Sequence, residues 1–292
     1  MRPRPLPAEF RQKVPSGAAF FQVKETLRDQ RLNTVCEEAK CPNRTDCYAR
    51  GTLTFQILGD ICTRRCGFCA EKTGQPGAVD FTESARIAVA IETLKLKHVV
   101  LTAPARDDLS DGGASVFART VRTIKNQFPF VTVEILISDL QGDLNALQNV
   151  LESGPDVFNH NIETVRRLTP RVRAKATYER SLDMLKYAAA SKICKVKSGL
   201  MVGLGESLTE IEETLQHLRD AGVQYLTVGQ YLQPSAQHLP IERYYNSEEF
   251  AQIRSMAKSQ GFEQIFSGPL IRSSYHADEM MQQKIMQQKM TQ

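Results

Sequence analysis

GTLTFQILGDICTRRCGFC, residues Gly51 to Cys69, joins a β-rich run ending at Gly59 to three cysteines, Cys62, Cys66 and Cys69, in Cys-x3-Cys-x2-Cys spacing. Soft thiolates select zinc, copper(I) or iron–sulfur clusters. A [4Fe–4S] cluster takes a cysteine on each iron, so three cysteines leave one iron open to another ligand. The bland alternatives are a structural zinc loop and a redox thiol pair. Zinc sites usually set their cysteines in two separated pairs, which this run does not do by itself. A strand that delivers such a loop at its end is also the first of a βα series, because parallel barrels carry their chemistry at the C-terminal ends of the strands.

Downstream, β-rich runs at 98–102, 131–137, 156–160, 193–202 and 224–230 alternate with helical spacing at 83–97, 114–128, 143–151, 178–190, 208–221 and 247–260. Thr82 and Ser247 are the expected N-caps of the first and last of these helices. Six βα units are fewer than the eight of a closed barrel. The expected fold is therefore α/β, an open partial (β/α)6 TIM-type barrel over 51–262, with extensions at 1–50 and 263–292. Within the extensions, the chain up to Gly17 reads as a proline-rich arm, Phe20 to Leu32 as a short helix, and Met280 to Gln292 as a polar, frayed helix. A length of 292 residues with 41% hydrophobic content is enough for such a core.

Upstream lies a second triplet, Cys36, Cys41 and Cys47, in Cys-x4-Cys-x5-Cys spacing. Two triplets of unlike spacing suit two separate clusters, and zinc shared among the six thiols is the alternative. Disulfides are not expected, since no secretory signal opens the chain and no apolar stretch reaches the ~18 residues of a membrane span. A cytoplasmic protein that does not engage a membrane is the expectation. Cys194 stands apart and reads as a packing residue. The net charge of +4 is too small to argue for nucleic acid. It hides a basic run, Arg166, Arg167, Arg171, Arg173, Lys175 and Arg180, followed by Lys192, Lys195 and Lys197. Such a run is more often a solvated face than a docking site for an acidic partner. The histidines form no metal set, and His160, His238 and His276 read as structural.

Taken together, Asn33 to Asn43 with its triplet, Gly59 to Cys66, Arg106-Asp-Asp-Leu-Ser-Asp-Gly-Gly113, Gly229-Gln-Tyr-Leu-Gln-Pro234 and Arg272-Ser-Ser-Tyr-His-Ala277 resemble the lipoyl synthase family of radical S-adenosylmethionine (SAM) enzymes. The resemblance runs from about residue 30 to residue 278 and implies two [4Fe–4S] clusters. One, on Cys62, Cys66 and Cys69, would cleave SAM to a 5′-deoxyadenosyl radical. The other, on Cys36, Cys41, Cys47 and Ser274, would donate sulfur to C6 and C8 of an octanoyl chain on a lysine of a carrier domain. Ser274 would be a hard ligand among soft ones and easily released, with Arg272 and Tyr275 orienting it.

SAM contacts are expected from Phe68, Arg106, Asp107, Asn161 and Glu163. Gly199-Leu-Met-Val-Gly203-Leu-Gly-Glu206 resembles the SAM-contacting pattern of these barrels, with Met201 in place of isoleucine, so Gly203 and Glu206 join the list. Implied partners are octanoylated lipoyl carriers (E2 subunits of dehydrogenase complexes and the glycine cleavage H protein), an electron donor such as ferredoxin or flavodoxin, and an iron–sulfur cluster carrier. The rival readings are a radical SAM enzyme whose second cluster only relays electrons, and a non-catalytic iron–sulfur carrier or zinc protein.

Overall fold

The computed structural model describes residues 17–39, 41 and 43–275. The proline-rich arm before Gly17, His276 and the Met280 to Gln292 tail lie outside the described residues. In chain order the elements are α1 (Ala18–Asp29), β1 (Asn33–Thr34), α2 (Val35–Glu38), α3 (Arg44–Ala49), β2 (Leu53–Gln56), β3 (Ile61–Cys62), β4 (Lys72–Thr73), α4 (Glu83–Leu94), β5 (His98–Thr102), α5 (Ala114–Gln127) and β6 (Thr132–Leu136). They continue with α6 (Leu144–Glu152), β7 (Val157–Asn159), α7 (Thr169–Val172), α8 (Tyr178–Ser191), β8 (Lys195–Val202), α9 (Leu208–Asp220), β9 (Tyr225–Gln230), α10 (Ser247–Ser259) and β10 (Gln264–Gly268).

Eight strands form one sheet in the order β1-β2-β5-β6-β7-β8-β9-β10. Every pairing in it is parallel except that of β1 on β2. Among the described residues β1 and β10 do not pair, so the barrel stays open. The alternation of a strand in a barrel wall is plain in β5: Val99 and Leu101 join the hydrophobic core beneath the helices, while Thr102 faces the central cavity. The outer layer is closed by helical stripes such as Ile211, Leu215 and Leu218 of α9.

The six expected units are present, and β10 adds a seventh parallel strand beyond them. Its five residues, Gln264-Ile-Phe-Ser-Gly268, are half-buried along most of their length, so no clean in–out alternation marks them in the sequence. One cap differs from expectation. Asn246, not Ser247, caps α10, accepting from Glu249 N at 2.9 Å while the Glu249 carboxylate accepts from Asn246 N at 2.9 Å. Thr82 is the N-cap residue of α4 as expected but makes no side-chain cap bond; Asp80, two residues earlier, accepts from its N–H at 2.8 Å. The asparagine takes the α10 cap because its short carboxamide reaches the N–H three residues on.

Inside the barrel, Lys197 of β8 donates to both oxygens of Glu134 on β6 at 3.0 and 3.1 Å, and Asn159 of β7 donates to the same carboxylate at 2.8 Å. This buried trio ties three neighbouring strands beneath the cavity. No described helix is long and apolar enough to cross a membrane.

Candidate active site

A cavity of about 550 Å³ opens at the C-terminal ends of the strands. All six cysteines of the two triplets line it, as do Arg272, Ser273, Ser274 and Tyr275. The first triplet rides on the loop after β2, which is clamped on three sides. Thr63 N bonds Ala105 O at 3.0 Å, Gly67 N bonds Val172 O at 2.9 Å, and Leu239 N bonds Gly67 O at 2.9 Å. Gly67 is required by that last approach, since a Cβ there would lie 2.8 Å from Leu239 Cγ. Ala174 N donates to Cys66 Sγ at 3.4 Å, as Arg64 N does to Cys62 Sγ.

Arg64, between Cys62 and Cys66, fixes this loop from within. Its guanidinium grips Asp107 after β5 (Nε to Oδ2 2.9 Å, Nη2 to Oδ1 2.7 Å) and reaches Asp139 after β6 at 2.7 Å. Arg180 closes on the other Asp139 oxygen at 3.0 Å. Burial alone would raise both carboxyls, but the Arg64 charge and hydrogen bonds hold them below the ordinary carboxylate range. Arg64→Met strips both buried carboxylates of their shared partner, leaving Asp139 only Arg180 and Asp107 only Lys175 at 3.6 Å, and is expected to cost about 3 kcal/mol of stability. The sign of its pH dependence follows. Depressed carboxyls contribute stability above about pH 4, lost as pH falls through their folded values. In the variant those values rise, so acid destabilisation begins at higher pH, which denaturant titrations at neutral and acid pH would show.

The second triplet meets the C-terminal segment, so the two chain ends build one wall. Asn43 donates to Leu270 O at 2.6 Å, Tyr275 OH donates to Asp46 at 3.1 Å, and the Arg50 guanidinium lies 5.5 Å from the centre of the Tyr275 ring. Burial pushes the thiols of Cys36, Cys41, Cys47, Cys66 and Cys69 up, to about 12 for Cys47 and Cys69. Such thiols ionise only against a strong positive centre, and metal binding supplies one. Among the described residues no three His, Cys, Asp or Glu side chains converge on a single-ion site.

On the cavity floor, Asn161 and Glu163 follow β7, and Glu163 sits in the left-handed region (φ 66°), where backbone strain is stored at the site. Glu163 N bonds Gly199 O at 3.0 Å and Met201 N bonds Glu163 O at 2.9 Å, holding it there. Asn161 Oδ1 is buried and accepts no hydrogen bond from a described residue, and a Cβ at Gly199 would lie 2.6 Å from it. An orphaned acceptor in a cavity whose volume is that of small-molecule sites fits a ligand carrying hydroxyl or amino donors. Phe68 and Met201 also line the cavity.

Four expected contacts stand elsewhere. Gly203 and Glu206 do not line the cavity; the buried Glu206 carboxylate accepts from Gly203 N at 2.6 Å and Leu204 N at 2.9 Å, shaping the turn into α9. Arg106 is turned to Leu58 O and Gly77 O, both at 3.0 Å, and to Asp108 at 2.8 Å, while Asp107 is taken by Arg64.

Much of the basic run is paired within the chain: Arg167 with Glu210, Arg180 with Asp139, Lys195 with Glu263 and Lys197 with Glu134. Arg173, counted in that run, is a buried cavity-wall residue donating to Ser181 Oγ at 2.7 Å. His160 is held between Ile137 O (2.8 Å) and Ser181 Oγ (2.9 Å), and burial pushes it down to about 4, so it is neutral and structural. His238 reaches Cys69 O at 2.9 Å and braces the cluster loop. Sequence reading passed over Arg64, Asp139 and Arg173. Asp139 carried a usable signal, since it lies three residues past the end of β6, at the end where barrels place their chemistry.

The radical SAM superfamily model matches residues 57–218, and solved structures share the architecture. Methylornithine synthase aligns with TM-score 0.56 at 14% identity, covering 73% of this chain and 70% of its own. The [FeFe]-hydrogenase maturase HydG aligns with TM-score 0.52 at 15% identity, covering 90% and 75%. The chain belongs to the radical SAM superfamily, which brings with it SAM and a [4Fe–4S] cluster. Within it the chain is a member of the lipoyl synthase family. The model of the N-terminal domain of lipoyl synthase matches residues 2–41. The lipoyl synthases of Halalkalibacterium halodurans and Staphylococcus haemolyticus are each 52% identical over 92% of this chain and 89% of their own.

Proposed function

We propose that this protein inserts sulfur at C6 and C8 of an octanoyl chain amide-linked to a lysine of a lipoyl carrier domain. In this reading Cys62, Cys66 and Cys69 hold the cluster that works with SAM, and Cys36, Cys41, Cys47 and Ser274 hold an auxiliary [4Fe–4S] cluster. The carrying observation is the convergence of both triplets and the Arg272–Tyr275 segment on one cavity. When bound, the first cluster with SAM supplies the power to take hydrogen from an unactivated C–H bond, and the auxiliary cluster supplies the sulfur.

The chain's own work is placement. Arg64 and the clamps on Gly67 fix the first thiol loop, while Asn161 and Glu163 offer an acceptor and a carboxylate to SAM's hydroxyl and amino groups. Phe68 and Met201 give that ligand an apolar face. Arg106, Asp107, Gly203 and Glu206 act one step away, by shaping the loops that carry these contacts. An apolar wall including Val35, Ala103, Pro104 and Leu232 suits an alkyl chain and excludes water from it. The hard Ser274 alkoxide is the ligand most readily given up, as befits a cluster that is consumed.

Octanoylated E2 subunits and H protein are the matching substrates, with a ferredoxin- or flavodoxin-type reductant and an iron–sulfur carrier to restore the auxiliary cluster. A reducing cytoplasm, where thiols stay free to take iron, is the matching compartment. Anaerobic reconstitution with iron and sulfide is expected to load about eight irons per chain. Added SAM, reductant and an octanoyl-lysine peptide should then yield a peptide heavier by two sulfurs, at about one product per chain before the auxiliary cluster is spent. An unchanged peptide mass beside accumulating 5′-deoxyadenosine would refute sulfur insertion.

A further inference from the structure

The Asn161 carboxamide joins two parts of the cavity that lie far apart in sequence. Its Nδ2 carries two hydrogens. One goes to Glu163 Oε1 at 3.1 Å, the other to Ser273 Oγ at 2.7 Å. Glu163 belongs to the cavity floor, where its left-handed backbone is bonded to β8. Ser273 belongs to the C-terminal segment and directly precedes Ser274. The other anchors of that segment, Asn43 on Leu270 O and Asp46 with Tyr275, come from the loop of the second triplet. Asn161 is thus the described side chain that hydrogen-bonds this segment from the floor side.

A carboxamide is planar and rigid, so a donor that engages Oδ1 also re-aims Nδ2. Oδ1 is buried, takes no hydrogen bond from the described residues, and is backed by Gly199, where even a Cβ would come within 2.6 Å. The amide cannot retreat over β8. A donor that engages Oδ1 would therefore have to rotate the amide, and rotation would lengthen its 2.7 Å bond to Ser273.

We propose that Asn161 is a positioning residue that links SAM binding to the seating of Ser274, acting through Ser273. This rests on the reading of the cavity as a SAM site with Asn161 and Glu163 in contact. SAM engagement loosens Ser273 and with it the segment that presents Ser274, so the releasable ligand is freed when the radical source is loaded. Linkage makes the effect reciprocal: a segment already loosened leaves Asn161 free to adapt, and SAM binds more tightly.

Ser273→Ala removes the bond and keeps both Asn161 and Ser274; Ser273→Thr restores a hydroxyl. The measurements, on the anaerobically reconstituted protein, are SAM affinity and amide hydrogen exchange of the 270–275 peptide with and without SAM. In the wild type, SAM is expected to speed exchange of that peptide several-fold. In Ser273→Ala exchange is expected to be fast already and unmoved by SAM, with SAM bound about five-fold tighter; Ser273→Thr should return both to wild type.

Failure of the wild type to bind SAM, or undiminished binding by Glu163→Gln, would overturn the reading of the cavity itself. If Glu163→Gln weakens SAM binding but Ser273→Ala keeps the wild-type affinity and SAM-dependent exchange, the site stands and the coupling is wrong.

Discussion

Cys41→Ala is expected to leave SAM cleavage running and to abolish sulfur insertion, whereas Cys66→Ala is expected to abolish both. The two cysteines line the same cavity but belong to triplets with different tasks. Cys66 sits in the loop gripped by Arg64 and bonded by Ala174 N, so its loss removes a ligand of the cluster that works with SAM. Cys41 sits against the C-terminal segment, where burial raises its thiol while Asn43 N and the Arg272 charge pull it back down. Its loss strips the sulfur source and leaves the other loop intact. Deoxyadenosine by chromatography and peptide mass from the same reaction separate the outcomes. A doubly sulfurated peptide from Cys41→Ala would remove the second triplet from the reaction.

Gly229→Ala should be nearly as severe, although no ligand is touched. Ile271 O would lie 2.0 Å and Ile271 C 3.0 Å from a Cβ at this position, with Arg272 Nη1 at 3.3 Å. The obstacle is backbone, which cannot rotate away, and β9 is held on both sides by β8 and β10. The segment carrying Ser274 must therefore lift. The global cost expected of such overpacking is about 1–3 kcal/mol, but the local consequence is larger. Serine ligation should fail and sulfurated product should fall to background, while deoxyadenosine still forms. Gly268→Ala is the control: it lies opposite Gly229 on β10, yet its Cβ would meet only Ile271 Cγ1 at an ordinary 3.5 Å. Equal product from the two variants would show that the close approach at Gly229 does not seat Ser274.

Local chemistry was the most legible part. The cysteine spacings, the strand runs and the glycine-rich stretch ending β8 each lie within a few residues, and spacing over that range is fixed by the covalent chain and the period of its secondary structure. The strand β10 was missed because half-buried residues carry no alternation. The charged run from Arg166 to Lys197 was legible as composition but not as electrostatics, because Glu210, Glu263 and Glu134, which pair with Arg167, Lys195 and Lys197, arrive from other elements.

Sequence by itself determined the open βα architecture and the two thiol triplets, since periodicity and ligand spacing are one-dimensional properties. Only the tertiary structure decided which polar side chains face the cavity. Asn161 turned inward to bond Ser273, while Glu206 was spent on the backbone of its own loop and Arg106 on the carbonyls of Leu58 and Gly77 in other loops. The physical reason is that each buried polar group must find a partner. Whether that partner is a neighbouring N–H or a hydroxyl 112 residues away is settled by how the strands pack.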